Sequence, residues 1–334
     1  MQIPITLIPG DGIGPEVSAA MVAVVDEATD GRIVWDRQLA GATAFEETGE
    51  LLPLDTVESI VRNRVAIKGP LQTPVGSGWR SINVAIRQEL DLYACLRPVQ
   101  SLPGHSLSRY ENVDLVVVRE NTEGLYAGRE HEVVPGVVEA LKIVSRKASE
   151  RIVRFGFEYA RNEGRKKITV AHKTAVMPQS EGLFVDSAVR VADEFPFMQV
   201  DFVKFDNVVM DLALDPSSHD VIILGNLDGD LLSDLCAGLV GGLGLVPGAN
   251  IGETTAVFEA VHGTAPDIAG QGIANPIALI LSAEMMLRYV GEHGAADRVR
   301  GAVEQVMTEG TVLTGDLGGT ATTAEITRAL AAAI

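Results

Sequence analysis

The 334-residue chain predicts an α/β protein built around a largely parallel sheet. Two observations lead there. Short runs rich in Val, Ile and Leu recur between helical stretches: "IPITLI" (3–8), "RVAIKG" (64–69), "VDLVVVRE" (113–120), "KITVAHK" (167–173) and "HDVIILGN" (219–226). Runs this apolar read as strands covered on both faces, as parallel strands are. Second, a hydrophobic content of 46% over this length supplies enough core for one large or two medium domains.

The first run leads into "LIPGDGIGPEV" (7–17), a tight turn before a helix. Gly10, Gly12 and Gly14 alternate, but a dinucleotide fingerprint G-x-G-x-x-G needs glycine where Pro15 stands. Proline suits the first helical turn, because its missing N–H would be unsatisfied there anyway. This is therefore not a fingerprint Rossmann turn, and any dinucleotide grip lies elsewhere. Later runs each end in a polar residue, and ligands in open α/β sheets gather beyond the carboxyl ends of strands. Position alone thus nominates Lys68, Arg119, Lys173 and Asn226. The stretches "SLPGHSLS" (101–108) and "AGLVGGLGLVPGANIG" (237–252) are the candidate boundaries. They divide the chain into a large domain of residues 1–100 plus 237–334, which would bind a cofactor, and a small domain of 101–236.

A net charge of −18 argues against nucleic acid and anionic membranes as partners. No apolar run is long enough to span a bilayer and no charged-then-apolar leader opens the chain, so the cytoplasm is the expected compartment. Cys95 and Cys236 have neither metal nor redox spacing and are expected to be small buried hydrophobes.

Two clusters carry chemistry. In "GNLDGDLLSD" (225–234), Asp230 and Asp234 are four apart, which puts both carboxylates on one helix face. They either stabilise the helix N-terminus or bind a hard cation, with Asp206 in "FDNVVMD" as a third oxygen donor suited to Mg²⁺ or Mn²⁺. In "WRSINVAIRQELDLYACLRP" and "VVVRENTEGLYAG", Arg87, Arg97 and Arg119 can converge on a polycarboxylate through bidentate guanidinium forks. Ser81 could simply cap the helix that follows it. Asn83 is harder to dismiss in that way.

From "IPGDGIGPEV" through "DLGGTATT", these motifs resemble the β-decarboxylating dehydrogenases, the family of isocitrate, 3-isopropylmalate, homoisocitrate and tartrate dehydrogenases. The resemblance implies that family's two-domain fold, a small polycarboxylate substrate and a homodimer with shared active sites. The dimer interface and the metal ligands would belong to the small domain. Arg87, Arg97 and Arg119, joined by Lys68, would hold the malate part of the substrate. Tyr126 and Lys173 would be the acid and base, and Asp206, Asp230 and Asp234 the metal ligands, with Lys173 and Asp206 supplied by the partner subunit.

The resemblance also moves the dinucleotide grip to "FEAVHGTAPDIAGQGIANP" (258–276). There Glu259, His262, Gly263, Thr264, Ala265 and Asn275 would line the cofactor, with Leu71 and Thr73 opposite. Asp267 and Ile268 stand where NADP-dependent members carry Lys and Tyr, and Gly315 and Gly319 replace a further Tyr and Arg. A carboxylate accepts both ribose hydroxyls and repels a 2′-phosphate, so NAD is expected. Ser81 and Asn83 offer a hydroxyl and an amide where isopropylmalate enzymes carry leucines, which favours isocitrate. Homoisocitrate, isopropylmalate and tartrate are the alternatives. A non-catalytic regulatory subunit would be expected to lose Tyr126, Lys173 or a metal aspartate, and none is lost. Ala175, Pro178, Asp211 and Asp228 depart from the isocitrate pattern.

Overall fold

The structure, a computed structural model, describes residues 2–73, 81–104 and 108–334. Its strands are β1 (Ile3–Ile8), β2 (Ile33–Arg37), β3 (Val65–Lys68), β4 (Ala94–Gln100), β5 (Asp114–Glu120), β6 (Gly124–Val134), β7 (Val137–Ile143), β8 (Lys167–His172), β9 (Gln199–Lys204), β10 (Val221–Leu224), β11 (Pro247–Ile251) and β12 (Ala256–Ala260). Its helices are α1 (Gly14–Thr29), α2 (Ala42–Thr48), α3 (Leu54–Asn63), α4 (Ile82–Glu89), α5 (Arg146–Asn162), α6 (Ser180–Ala192), α7 (Phe205–Leu214), α8 (Asn226–Leu239), α9 (Ile277–Tyr289), α10 (His293–Glu309) and α11 (Thr323–Ala332).

Among the described residues, one sheet runs β2-β1-β3-β12-β11-β4-β5-β10-β8-β9. Its pairings are parallel except at β12–β11, β11–β4 and β4–β5. The five runs expected to be strands are β1, β3, β5, β8 and β10. Both faces are indeed covered. Val116, Val118, Val221 and Ile223 face one core, with α1, α5, α6, α9 and α10, while Leu115, Val117, Ile222 and Leu224 face another, with α7 and α8. The strands of residues 1–100 and 237–334 fill one continuous part of the order, and those of 101–236 fill the other. β4 and β5 pair antiparallel over seven positions where the two parts meet. Of the boundary stretch 101–108, residues 105–107 lie outside the described residues.

The glycine turn is structural. Gly12 has φ +61°, and a side chain there would collide with Thr264; the Ile13 N–H donates to the Thr264 carbonyl at 2.9 Å. Asp11 is buried and accepts from the N–H groups of Ala42, Thr43 and Gln72. On α1, Glu16 accepts from the N–H groups of Gly272 and Ala274. The turn therefore buttresses two loops that flank the strand ends. It presents no phosphate cradle of its own.

β6 and β7 form a separate antiparallel hairpin, an arm that was not read from the sequence. Pro135 and Gly136 (φ +82°) connect them, a pairing suited to a turn whose second central residue needs positive φ. Along the arm Val133, Val134, Val137, Val138 and Leu141 are exposed. No described helix is long and apolar enough to cross a membrane.

Candidate active site

Of the four nominated strand-end residues, Lys68 and Arg119 line one cavity, Asn226 holds Arg119 there, and Lys173 lies apart. Lys68 closes β3, Arg119 lies one residue before the end of β5, and Asn226 opens α8 directly after β10. Between them is a cavity of about 240 Å³, lined by Lys68, Leu71, Ser81, Asn83, Arg87, Arg97, Arg119, Tyr126, Asp230, Glu259, His262 and Gly263, among others. Four cations against two carboxylates leave this lining at +2, in a chain whose net charge is −18. The gathering of positive charge is thus local, and its sign and size suit a small polyanion.

Helix α8 organises two of the arginines. Asn226, Asp230 and Ser233 or Asp234 recur at helical spacing on one face. Arg119, fully buried, donates to Asn226 Oδ1 at 2.7 and 3.1 Å and to Asp230. Arg97 donates to Ser233 and lies 3.7 Å from Asp230 and 3.6 Å from Asp234. Gly229 makes this approach possible, because a Cβ there would overlap the Arg119 side chain. The other two cations depend on Glu259. The parallel register of β3 and β12 sets Glu259 beside Lys68. Its carboxylate pairs with Lys68 and Arg87 and accepts from Asn250 at 2.6 Å. Burial alone would raise the Glu259 carboxyl, but Lys68 and Arg87 outweigh it and hold it far below the usual range.

Tyr126 donates to Asp230 Oδ2 at 2.5 Å, and the Arg119 guanidinium lies 5.0 Å from its ring centre. Burial and the neighbouring Asp230 both push the phenol up, so it stays protonated. Burial also works against ionisation of Asp230, yet Arg119, the Tyr126 hydroxyl and Arg97 together keep it below the usual carboxylate range.

Ser81 occupies the N-cap position of α4, but its side chain makes no capping bond. Thr73, expected at the cofactor, does that instead, accepting the Ile82 N–H at 3.0 Å. Ser81 is left exposed at the cavity, and the Asn83 Oδ1 atom is buried there without a hydrogen-bond partner among the described residues. His262 Nδ1 meets the Gly263 carbonyl at 3.0 Å; a carbonyl only accepts, so Nδ1 carries the proton. Burial lowers the imidazole pKa, which leaves Nε2 a neutral, buried acceptor with no partner among the described residues. Beyond it the loop continues through Thr264, Ala265, the exposed Asp267 and half-buried Ile268 to Asn275, whose amide donates to Asp316 at 2.9 Å.

Glu259, expected at the cofactor, has both carboxylate oxygens engaged by Lys68, Arg87 and Asn250. Thr73 has its hydroxyl oxygen committed to α4. Within the chain Asp206 lies apart from Asp230 and Asp234, and the resemblance assigns it to the partner subunit's site. It opens α7, where its carboxylate pairs with Lys173 just beyond β8, and among the described residues no group of three or more acidic, His or Cys side chains is close enough to hold an ion. Neither Lys173 nor Asp206 lines the cavity. The two cysteines are buried and free as expected, with burial pushing the Cys236 thiol up to about 12.

The profile of the isocitrate/isopropylmalate dehydrogenase family matches residues 4–330. The chain belongs to that family. It is 49% identical over 326 residues to the Arabidopsis thaliana mitochondrial isocitrate dehydrogenase [NAD] catalytic subunit 6, covering 97% of this chain and 87% of that one. The chloroplastic 3-isopropylmalate dehydrogenase of Solanum tuberosum is 46% identical over 308 residues, with coverage of 92% and 86%. The crystal structure of isocitrate dehydrogenase from Methylococcus capsulatus superposes with a TM-score of 0.95 at 47% identity, covering 99% of each chain. The chain is therefore a dehydrogenase of this family, with its mostly parallel α/β fold.

Proposed function

We propose that the protein oxidises and decarboxylates isocitrate to 2-oxoglutarate and CO₂, using NAD and Mg²⁺ or Mn²⁺. The observation that carries this is the cavity itself. Lys68, Arg87, Arg97 and Arg119 supply positive charge for a polycarboxylate, while Ser81 and Asn83, whose Oδ1 has no partner among the described residues, stand at the same wall. A buried amide oxygen with no partner disfavours an apolar substituent beside it. This reading places isocitrate ahead of isopropylmalate.

When bound, NAD supplies the hydride acceptor and the divalent ion supplies Lewis-acid stabilisation of the enolate. Asp230 and Asp234 fit a hard cation as paired oxygen donors on one face of α8; Asp206 of a second copy would complete the set. Lys173, also from the second copy, takes the proton of the C2 hydroxyl, a step that needs a positioned base. The arginines hold the carboxylates so that the C2–H bond and the departing carboxylate are aligned. Tyr126, kept protonated by burial and Asp230, returns a proton to carbon after CO₂ leaves.

The same separation supports a homodimer with shared sites. Lys173 and Asp206 lie off the cavity of their own chain, and Met210, Leu214 and Leu231 on α7 and α8, like the valines of the arm, are exposed apolar side chains that a second copy would cover. A regulatory role is less well supported, since Tyr126, Lys173 and all three aspartates are present. Asp267 at the start of the adenosine loop's exposed turn favours NAD over NADP. The test is a panel of isocitrate, homoisocitrate, isopropylmalate and tartrate with NAD or NADP, with and without Mg²⁺. Faster turnover of isopropylmalate or tartrate than of isocitrate overturns the substrate assignment.

A further inference from the structure

Lys173 lies on a short turn between β8 and α6, and its peptide groups are fully engaged. Its carbonyl accepts from the N–H groups of Val176 and Met177 at 3.0 and 3.1 Å. Its own N–H donates at 2.8 Å to Oε2 of Glu181, a buried residue in the first turn of α6. The other oxygen of Glu181 accepts from Lys142 Nζ at 2.6 Å, and Lys142 belongs to β7 of the exposed arm. One buried carboxylate thus joins the arm to the backbone of Lys173. Such a carboxylate is costly to desolvate unless both oxygens are satisfied, so its two bonds constrain one another's geometry.

We infer that Glu181 is a positioning residue: it fixes the backbone of Lys173, and through Lys142 it ties that position to the seating of the arm. The inference rests on the reading of Lys173 as the base. Glu181 touches neither the cavity nor Lys173 Nζ, so its loss should alter how often the amine is aligned, leaving substrate binding in the arginine cavity intact.

Two isosteric variants, made in a Lys142→Met background so that no ammonium competes for the single amide oxygen, isolate the hydrogen bond. Lys142→Met/Glu181→Gln keeps an acceptor for the Lys173 N–H; Lys142→Met/Glu181→Met loses it. In the full-length assembled protein, and relative to Lys142→Met alone, kcat should fall at least 30-fold in the Met variant and stay within threefold in the Gln variant, with isocitrate KM within threefold in both. The isotope effect from C2-deuterated isocitrate should reach its full value in the Met variant. The Lys173 amide of the wild type should be protected from hydrogen exchange. Equal kcat in the Gln and Met variants, or exchange of that amide at the rate of an unbonded loop, overturns the positioning role. Retained turnover in Lys173→Met would instead overturn the base assignment.

Discussion

Glu259→Gln should destabilise the substrate-free protein and make isocitrate a stronger stabiliser. The substitution leaves Lys68 and Arg87 buried without their shared carboxylate. Breaking a buried ion pair by removing one partner typically costs about 3–5 kcal/mol. Unfolding entropy near 2.1 cal/mol/K per residue, over 334 residues, is about 0.7 kcal/mol/K, so the expected fall in Tm is about 4–7 °C. The substrate brings anionic charge to the same two cations, so saturating isocitrate should raise the variant's Tm more than the wild type's. The pH dependence has a definite sign. Glu259 is held below its unfolded value near 4.3, so its contribution is complete above that pH and is lost as the pH falls below it. The variant's stability should therefore decline less steeply below about pH 4. Differential scanning calorimetry from pH 7 to 3, with and without isocitrate, measures all three effects. A variant with wild-type Tm, the same isocitrate shift and an unchanged acid limb would refute the view that Glu259 neutralises the substrate cations.

Three further outcomes are expected. NAD should exceed NADP in kcat/KM by at least about a hundredfold, about 2.7 kcal/mol, and Asp267→Lys with Ile268→Tyr should weaken NAD; unchanged NAD affinity in a binding titration would show the ribose lies elsewhere. Chelation with EDTA should abolish turnover and Mg²⁺ or Mn²⁺ restore it, while Asp230→Asn should raise the metal concentration needed for half-maximal rate; full activity in EDTA would remove the metal from the scheme. Val138→Asp, placing a charge on the exposed apolar arm, should shift the protein toward monomer in sedimentation velocity and reduce activity in proportion, since Lys173 is proposed to serve the partner's cavity. An active monomer would refute shared sites.

Much of the site was legible because its signals are local. The apolar runs became β1, β3, β5, β8 and β10, since burial on both faces leaves a continuous apolar stretch that sequence displays directly. Pro15 in place of glycine likewise showed that the first turn was no phosphate cradle. The arm was missed because an exposed hairpin has no buried face to impose a pattern, although "VVPGVV" carries a turn signal at its centre.

By itself, then, the sequence determined which side chains stand at strand ends, that Asp230 and Asp234 share a helix face, and which family the motifs resemble. These depend on spacing within one element. Tertiary structure alone decided how the cations are neutralised and what holds Lys173. The parallel register of β3 with β12 sets Glu259 beside Lys68, and Arg87 reaches the same carboxylate from α4 across 172 positions. Thr73, nine positions before Ile82, took the capping bond that Ser81 was able to make. Asp206 pairs with Lys173 because β9 runs beside β8, so the residues just beyond these two strands meet. Contacts of this kind are chosen by register and packing across the whole sheet, so no local pattern of residues encodes them.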